Sequence, residues 1–228
     1  MPNFDIVRKS KVEQTFRVQK IAADFDLSLD CVEEHFKGEI QLPDDWHVGL
    51  IVGKSGTGKS TIAKEMFPDA FVISGDFDGY DSPSVVDDMP SDASVSDITK
   101  TFCSVGFSSV PDWLKPYSAL STGEKMRVDM ARAILTNDLT VFDEFTSTVD
   151  REVAKTCCIA VSKSIRREGK KFVAVTCHKD VLDYLEPDWV FDTDDMQCFF
   201  PNARADSKSI SSSGASVRSG ESLGVITI

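Results

Sequence analysis

The chain has 228 residues and a formal net charge of −12, with 41% hydrophobic and 27% charged residues. This size and composition predict a globular protein with a substantial core and exclude a wholly disordered chain. The longest apolar runs, such as Val48–Val52 and Phe172–Val175, are far too short to span a bilayer, which excludes a membrane-embedded protein.

Predicted strands and helices alternate along most of the chain, with no internal repeat. This alternation predicts an α/β fold around a mainly parallel sheet. The predicted elements in chain order are the strand Val48–Gly53, the helix Ser60–Phe67, the strand Phe71–Ser74, the helix Leu120–Thr136, the strand Leu139–Phe142, the helix Arg151–Glu168, the strand Phe172–Thr176, the short helix Lys179–Leu185 and the terminal strands Trp189–Phe191 and Gln197–Phe200.

Two segments have biased compositions. Pro68–Asp97 contains eight aspartates and no lysine or arginine, and its Gly, Pro and Ser content predicts a mostly exposed loop region. A solvated loop is one interpretation of it, and a docking surface for a basic protein partner is the other. Residues 201–228 contain eight serines and three glycines, a composition that predicts a flexible tail.

The composition also bears on the cellular location of the protein and on whether it binds nucleic acid. Residues 1–20 lack an apolar block followed by small residues, so we predict no secretory signal and a cytoplasmic protein. Six cysteines without a Cys-x-x-Cys pair suggest reduced thiols, mostly small buried hydrophobes. The acidic balance argues against a non-specific nucleic-acid binder, but residues 1–20 are locally basic, so nucleic-acid contact stays open.

A phosphate-binding loop (P-loop) is the first chemical signal. The segment from Gly53 to Ser60 matches G-x-x-x-x-G-K-[ST] between a predicted strand and a predicted helix, the context that this motif requires. Its backbone N–H groups are expected to cradle phosphates, Lys59 to reach the β- and γ-phosphates, and the Ser60 hydroxyl to bind Mg²⁺. The predicted nucleotide-binding residues of this loop are Gly53, Lys54, Ser55, Gly56, Thr57, Gly58, Lys59, Ser60 and Thr61.

A pair of acids follows the predicted strand Leu139–Phe142. Parallel strands of α/β sheets present ligand-binding residues at their carboxyl ends. Asp143 is therefore predicted to hold Mg²⁺, as in a Walker B strand, and Glu144 to act as the general base that activates water.

The segment Leu120-Ser-Thr-Gly-Glu-Lys125 continues into Arg127-Val-Asp-Met-Ala-Arg-Ala133. Here the sequence resembles the ATP-binding-cassette (ABC) ATPases, whose signature Leu-Ser-Gly-Gly-Gln or -Glu runs into Arg-x-x-x-Ala-Arg-Ala. The resemblance covers roughly residues 15–200. It implies an ABC-type P-loop ATPase that binds ATP and Mg²⁺ and forms a head-to-tail homodimer.

The resemblance also implies roles for single residues. Ser121 and Gly123 match the signature positions that contact the γ-phosphate bound by the opposite subunit. Asp150 matches the D-loop, the segment after the Walker B strand, and His178 matches the switch histidine that touches the γ-phosphate. In this account Lys59, Glu144 and His178 carry hydrolysis.

The ABC pattern further implies a small N-terminal antiparallel β-subdomain at residues 1–47 and a reduced helical subdomain at residues 76–119. Within the family the chain looks closest to bacterial and phage ATPases fused to, or alongside, a GNAT-like acetyltransferase domain. The 228 residues leave no room for that domain, so the resemblance implies the ATPase part alone.

Three departures from the family pattern stand out. Thr122 replaces the first signature glycine, and Glu124-Lys125 in place of Gln resembles the soluble, DNA-maintenance branches of the family more than transporters. No glutamine lies between Lys59 and Ser121, so the family's Q-loop glutamine is missing. We take Asp76 as a hypothetical substitute for it.

Adenine stacking in the family comes from an aromatic ring upstream of the P-loop. Phe25 is the candidate from its distance to Gly53, and Phe16 is the competitor. A core phenylalanine on an N-terminal antiparallel strand is the alternative interpretation of Phe25.

Three functions compete at this point. The first is a soluble ATPase that switches a partner, such as an acetyltransferase-like or nucleic-acid-modifying enzyme. The second is the ATP-binding subunit of a membrane transporter, disfavoured by the short helical region and the missing glutamine. The third is a P-loop kinase, disfavoured because the signature and the Asp143-Glu144 pair serve hydrolysis at a dimer interface.

Overall fold

The computed structural model describes residues 3–10, 15–26, 32–40 and 42–201. The predicted elements from Val48 onward are confirmed, each to within two residues. In chain order the elements are β1 (Asn3–Ser10), α1 (Phe16–Asp24), β2 (Val32–Glu39), β3 (Val48–Val52), α2 (Lys59–Met66), β4 (Phe71–Val72), α3 (Val95–Ser104), α4 (Val110–Trp113), a 3₁₀ turn (Tyr117–Ala119), α5 (Thr122–Thr136), β5 (Leu139–Phe142), α6 (Arg151–Glu168), β6 (Lys171–Thr176), α7 (Val181–Leu185), β7 (Trp189–Asp192) and β8 (Gln197–Phe199).

The main sheet has six strands in the order β4-β5-β6-β3-β7-β8. All neighbours pair in parallel except β7 and β8, which are antiparallel, so the predicted mainly parallel sheet is confirmed. Every residue of β3 is buried, which explains its uninterrupted apolar sequence: helices cover both faces of a parallel sheet. The strand that leads into the P-loop therefore lies in the middle of the molecule.

Two apolar clusters lie on opposite faces of this sheet. Because side chains alternate along a strand, Leu50 packs with the cluster that includes α3, α5 and α6, whereas Ile51 packs with the cluster that includes α2. Trp189 of β7 is fully buried in the second cluster. The result is a three-layer α/β/α arrangement that holds β3 rigidly.

The boundaries of the two longest helices carry the capping residues that their sequences lead one to expect. Ser121 caps α5 in a capping box with Glu124, in which each residue accepts a hydrogen bond from the backbone N–H of the other. Asp150 caps α6, and Gly169 ends that helix with a left-handed φ of 68°, a conformation that glycine adopts at low cost.

The described residues before Val48 contain the expected antiparallel strands and, in addition, a helix that the sequence did not indicate. β1 and β2 pair antiparallel, with Asn3 opposite Glu39, but a helix, α1, lies between them in sequence. Thr15 caps α1 by accepting a hydrogen bond from Val18 N–H at 3.3 Å. The apolar pattern of this nine-residue helix is short and broken by charges, which is why periodicity did not predict it.

The acidic segment Pro68–Asp97 is only partly a surface loop. Seven of its eight aspartates are exposed, as predicted, but Asp88 is buried and accepts a hydrogen bond from Ser82 N–H at 3.0 Å. Val85 and Met89 are buried in the core, whereas most of the segment is exposed, as predicted. Within the described residues, no helix is long and apolar enough to cross a membrane.

Candidate functional site

The predicted site residues follow three neighbouring parallel strands. β5, β6 and β3 lie side by side, so their carboxyl ends meet at one edge of the sheet. The P-loop follows β3, Asp143 follows β5, and His178 lies two residues beyond β6. The topology therefore brings these segments together at the edge where α/β proteins bind ligands.

The P-loop presents the N-terminus of α2. Gly56 and Gly58 have φ values of 86° and 85°, in the left-handed region that glycine tolerates. Gly58 is the N-cap residue and provides no side-chain capping bond, so the first N–H groups of α2 are available to an anion. Lys59 is buried, and its Nζ donates to the carbonyl oxygen of Lys54 at 2.6 Å.

The turn after β7 supports the P-loop, a contact that the sequence did not indicate. The Thr193 hydroxyl donates to Val52 O at 3.2 Å and lies 2.6 Å from the Thr57 hydroxyl. A Cβ at Gly53 would lie 2.1 Å from Thr193 Oγ1. Glycine is therefore needed at position 53 because the two segments approach so closely.

Asp194 connects the P-loop to the segment after β6. Its Oδ1 accepts a hydrogen bond from Lys54 N–H at 2.7 Å, and its Oδ2 lies 3.0 Å from Lys179 Nζ. The hydrogen bond from Lys54 N–H, and to a lesser extent the one from Lys179, holds the pKa of Asp194 below its usual range. Hydrogen bonds to Asp192 and Asp194 raise the pKa of Lys179, the residue next to His178. Sequence reasoning missed both Lys179 and Asp194, because nothing in their local pattern marks this pairing.

Asp143 is a buried carboxylate beside the P-loop. Burial raises its pKa above the usual range, while hydrogen bonds from the Ser60 hydroxyl and the Glu144 N–H and the charge of Lys59 act in the opposite direction. The Glu144 N–H bond to Asp143 Oδ1 measures 3.0 Å. A carboxylate and a hydroxyl are the hard oxygen donors that Mg²⁺ prefers, so Ser60 and Asp143 fit a magnesium site.

Glu144 is exposed and held in an unusual conformation. Its φ is 52°, and Thr146 has a φ of 66°, which is rare for a β-branched residue. Phe145 between them is fully buried and packs edge-on against Phe172 at 5.5 Å. The Ser147 hydroxyl donates to Glu144 Oε2. Strain of this kind persists only where the surroundings impose it, as they do at many functional sites.

The signature residues begin α5. The Ser121 hydroxyl donates to Glu124 Oε2 at 2.7 Å, and this bond together with the Ser121 N–H holds the pKa of Glu124 below its usual range. A Cβ at Gly123 would lie 2.9 Å from Val149 Cγ1 and 3.3 Å from Thr148 O. Gly123 thus packs directly against the D-loop, a reason for glycine that the motif alone does not give.

The other predicted residues are placed as follows. Asp150 is exposed and accepts a hydrogen bond from Val153 N–H at 2.9 Å as the cap of α6. His178 is half-buried, and its N–H donates to Thr176 Oγ1 at 3.2 Å. Asp76 is exposed in the turn after β4.

Phe25 follows α1 and is 72% exposed. The interpretation of Phe25 as a core residue on a strand is therefore wrong. Phe16, its competitor, is 81% exposed at the start of α1. Both rings are accessible to a planar ligand.

The P-loop lies at one edge of the sheet together with Asp143 and Glu144, and the capped helix α5 packs against the segment after β5. The fold is that of an ABC nucleotide-binding cassette, and the likeness to two solved cassettes supports this.

No protein-family model matches the chain. The chain is 26% identical over 190 residues to the probable ATP-dependent transporter ycf16 of Guillardia theta, covering 63% of this chain and 74% of that protein. It is 37% identical over 71 residues to the probable ATP-dependent transporter SufC of Escherichia coli strain K12, covering 31% of this chain and 28% of SufC. The chain thus spans under a third of SufC.

Among solved structures, the chain is similar to the dimeric structure of MJ0796, a bacterial ABC transporter cassette, with a TM-score of 0.57 and 14% identity. A post-hydrolysis dimer of MJ0796 bound to ADP and Pi gives a TM-score of 0.58 and 13% identity. Each match covers 84% of this chain and 93% of the other. At these identities the likeness demonstrates the shared fold.

Proposed function

We propose that the chain is an ATP-hydrolysing cassette in which two copies close head to tail around MgATP and thereby drive a partner protein. The observation that carries this proposal is the convergence of Lys59, Ser60, Asp143 and Glu144 at one sheet edge, documented by their mutual hydrogen bonds and charge effects. ATP hydrolysis needs a phosphate cradle, a metal-binding carboxylate and a base, and this edge supplies all three.

Each chain residue has a distinct task in the proposed reaction. The N–H groups at the start of α2 and the Lys59 ammonium bind the phosphates, and Ser60 and Asp143 hold Mg²⁺. When bound, Mg²⁺ neutralises negative charge on the phosphate oxygens. Glu144 accepts the proton of the attacking water, and His178 contacts the γ-phosphate.

The second half of the composite site comes from the other copy. Ser121 is exposed at the N-terminus of α5, where the helix dipole favours an anion. In the closed dimer the Ser121 hydroxyl and the N–H of Gly123 face the γ-phosphate bound by the partner copy. Asp150, on the D-loop side of Gly123, lies at the same interface, and Phe25 is the proposed adenine-stacking ring.

Phosphate release from ATP without any added acceptor tests this proposal and excludes a kinase. Lys59→Ala should lower the rate about 100-fold or more, because a lost electrostatic contact to the transferred phosphoryl group costs that much. Lys64→Ala is the matched control, because Lys64 lies on the same helix but is exposed at its last turn. Equal losses in the two variants, or no loss in Lys59→Ala, would contradict the assignment.

Two partner classes remain as proposals. The relatives are described as probable ATP-dependent transporters, which favours an ATP-binding subunit of a transport system. The missing glutamine between Lys59 and Ser121 and the short helical region at residues 76–119 favour a soluble partner, such as an acetyltransferase-like or nucleic-acid-processing enzyme. Co-purification of the native chain with membrane proteins would support the first class, and its recovery in a cytoplasmic complex would support the second.

The acidic segment is the proposed docking surface for that partner. Its exposed aspartates include Asp76, Asp78 and Asp81, which follow one another closely beyond β4. A dense group of negative charges attracts a basic protein surface, most strongly at low ionic strength. Replacing Asp78 and Asp81 with Asn should weaken partner binding and its salt dependence while leaving basal ATP hydrolysis within about twofold.

A further inference from the structure

Asp129 is a fully buried carboxylate on α5 that accepts four hydrogen bonds. The Ser74 hydroxyl, the Gly75 N–H and the Tyr117 hydroxyl donate to its Oδ2 at 2.8, 2.9 and 2.9 Å. The Tyr80 hydroxyl donates to its Oδ1 at 2.8 Å. We refer to these five residues as the Asp129 cluster. A buried charge is tolerated only when hydrogen bonds satisfy it, and four donors match the capacity of one carboxylate.

The two tyrosine rings of the cluster pack against each other and against Arg132. Their rings stack in parallel, with centroids 3.9 Å apart and an interplanar angle of 1°. The Arg132 guanidinium lies 4.8 Å from the centroid of the Tyr80 ring and donates to Asp78 O at 2.9 Å. Burial, and to a lesser extent the charge of Asp129, raises the pKa of both tyrosines. Their hydroxyls therefore stay protonated and can donate.

The cluster joins two parts of the molecule that the proposed reaction must align. Ser74 and Gly75 follow β4, which pairs with β5, and Asp143 N–H donates to Val72 O at 2.9 Å. Ser74 and Gly75 therefore lie at the edge that carries the metal-binding carboxylate. Asp129 lies eight residues beyond Ser121 on the same helix, a distance of about 12 Å along its axis.

Asp129 occupies a variable position of Arg-x-x-x-Ala-Arg-Ala, so the family pattern does not account for it. It also binds the stretch after β4, where this chain lacks a glutamine. Among the described residues, the hydrogen bonds to Asp129 involve neither the P-loop nor the pair Asp143-Glu144. Three of its donors come from the stretch after β4, 49 to 55 residues away in sequence, and the fourth from the 3₁₀ turn just before α5, so the carboxylate holds that stretch against the helix.

We propose that Asp129 is a positioning residue that fixes the signature helix relative to the nucleotide-binding edge of the sheet. The inference rests on the proposed ATPase function and deepens it. In one copy the P-loop edge holds ATP, and the same copy's signature helix must meet the partner's ATP. The Asp129 cluster sets the angle between these two surfaces, so that both composite sites of a dimer close together.

The cluster can be weakened without removing a ring or opening a cavity. Tyr80→Phe and Tyr117→Phe each delete one hydroxyl donor, and Asp129→Asn replaces one acceptor oxygen with a donor group that faces other donors. In each variant we expect the affinity of the monomer for MgATP to stay within about twofold. The kcat for phosphate release should fall about 10- to 100-fold, since misplacing a site by about 1 Å costs this much.

Tyr184→Phe is the matched control. Tyr184 is the third tyrosine of the chain, and its ring contacts Lys155 on α6 with a distance of 5.1 Å from Nζ to the centroid. This variant should retain the kcat of the wild-type chain. Because the Tyr→Phe variants keep the aromatic packing, they decide the question even if Asp129→Asn fails to fold.

The experiment measures MgATP affinity by calorimetry at protein concentrations that keep the chain monomeric, kcat by phosphate release, and ATP-dependent dimer formation in a Glu144→Gln background. A fall in kcat and dimer formation with unchanged affinity supports the proposal. Unchanged kcat in Tyr80→Phe, Tyr117→Phe and Asp129→Asn overturns it, as does a parallel loss of affinity and kcat. A wild-type chain that releases no phosphate would instead overturn the proposed function.

Discussion

Asp188 ties the beginning of the P-loop strand to α6, and its replacement should destabilise the fold. Its Oδ2 accepts hydrogen bonds from His47 N–H at 2.8 Å and Val48 N–H at 2.9 Å, and Arg166 Nη1 donates to its Oδ1 at 2.8 Å. Burial alone would raise the pKa of Asp188. The two N–H groups and Arg166 outweigh that effect and hold the pKa below its usual range.

The size of the effect follows from these contacts. Hydrogen bonds to a charged group contribute about 1.5–3 kcal/mol each. The side chains of Arg166 and Asp188 are 34% and 21% exposed, so solvent screens the ion pair and its share must be reduced. For Asp188→Ala we expect a loss of about 3 kcal/mol in the free energy of unfolding, which lowers Tm by about 6–12 °C in a domain of this size.

The pH dependence identifies the cause. Because the folded pKa of Asp188 is depressed, its contribution is present above the unfolded pKa of about 3.9 and is lost as pH falls through the folded value. Urea unfolding of wild type and Asp188→Ala should therefore differ by about 3 kcal/mol at neutral pH, and the difference should shrink steadily as pH falls below about 3.9. Asp183→Ala, at an exposed aspartate of α7, is the control. A difference that does not change with pH would refute the reasoning.

The remaining predictions concern the site. Gly123→Ala should displace the D-loop, because the new Cβ would lie 2.9 Å from Val149 Cγ1, and should lower kcat about tenfold or more in a phosphate-release assay with MgATP affinity unchanged. Phe145→Ala should cost about 3–5 kcal/mol in urea unfolding, since this buried ring anchors the strained turn around Glu144. The raised pKa of Asp143 means that the folded chain binds this proton more tightly than the unfolded chain does. Stability without ligand should therefore fall as pH rises from the unfolded pKa of about 3.9 through the higher folded value. Magnesium-dependent ATP binding should rise over the same window, and titrations with and without EDTA should show no such rise for Asp143→Asn.

The P-loop edge of the candidate site could be predicted because each of its pieces is local in sequence. The P-loop, the pair Asp143-Glu144 and the capping box of Ser121 and Glu124 are contiguous patterns whose chemistry requires particular residues at fixed spacing. The central strands and their helices could be predicted for the same reason, since buried runs such as Val48–Val52 are unmistakable.

The rest could not be predicted because it depends on contacts distant in sequence. Asp194 meets Lys54 across 140 residues, and Asp129 meets Gly75 across 54. Asp194 belongs to no motif, Asp129 fills a variable position of one, and only the folded chain brings each to its partner. The helix α1 was missed because its apolar positions are few, and the burial of Val85 was hidden by the aspartates around it.

Glu144→Gln tests the central claim, ATP-driven closing of two copies, most directly. The substitution keeps the shape of the side chain and removes its ability to accept a proton, so hydrolysis should fall about 100-fold or more while ATP binding persists. Light scattering in excess MgATP should then show a stable dimer, and Lys59→Ala added to Glu144→Gln should abolish that dimer. A chain that stays monomeric in excess MgATP, or that hydrolyses ATP at the wild-type rate, would contradict the account.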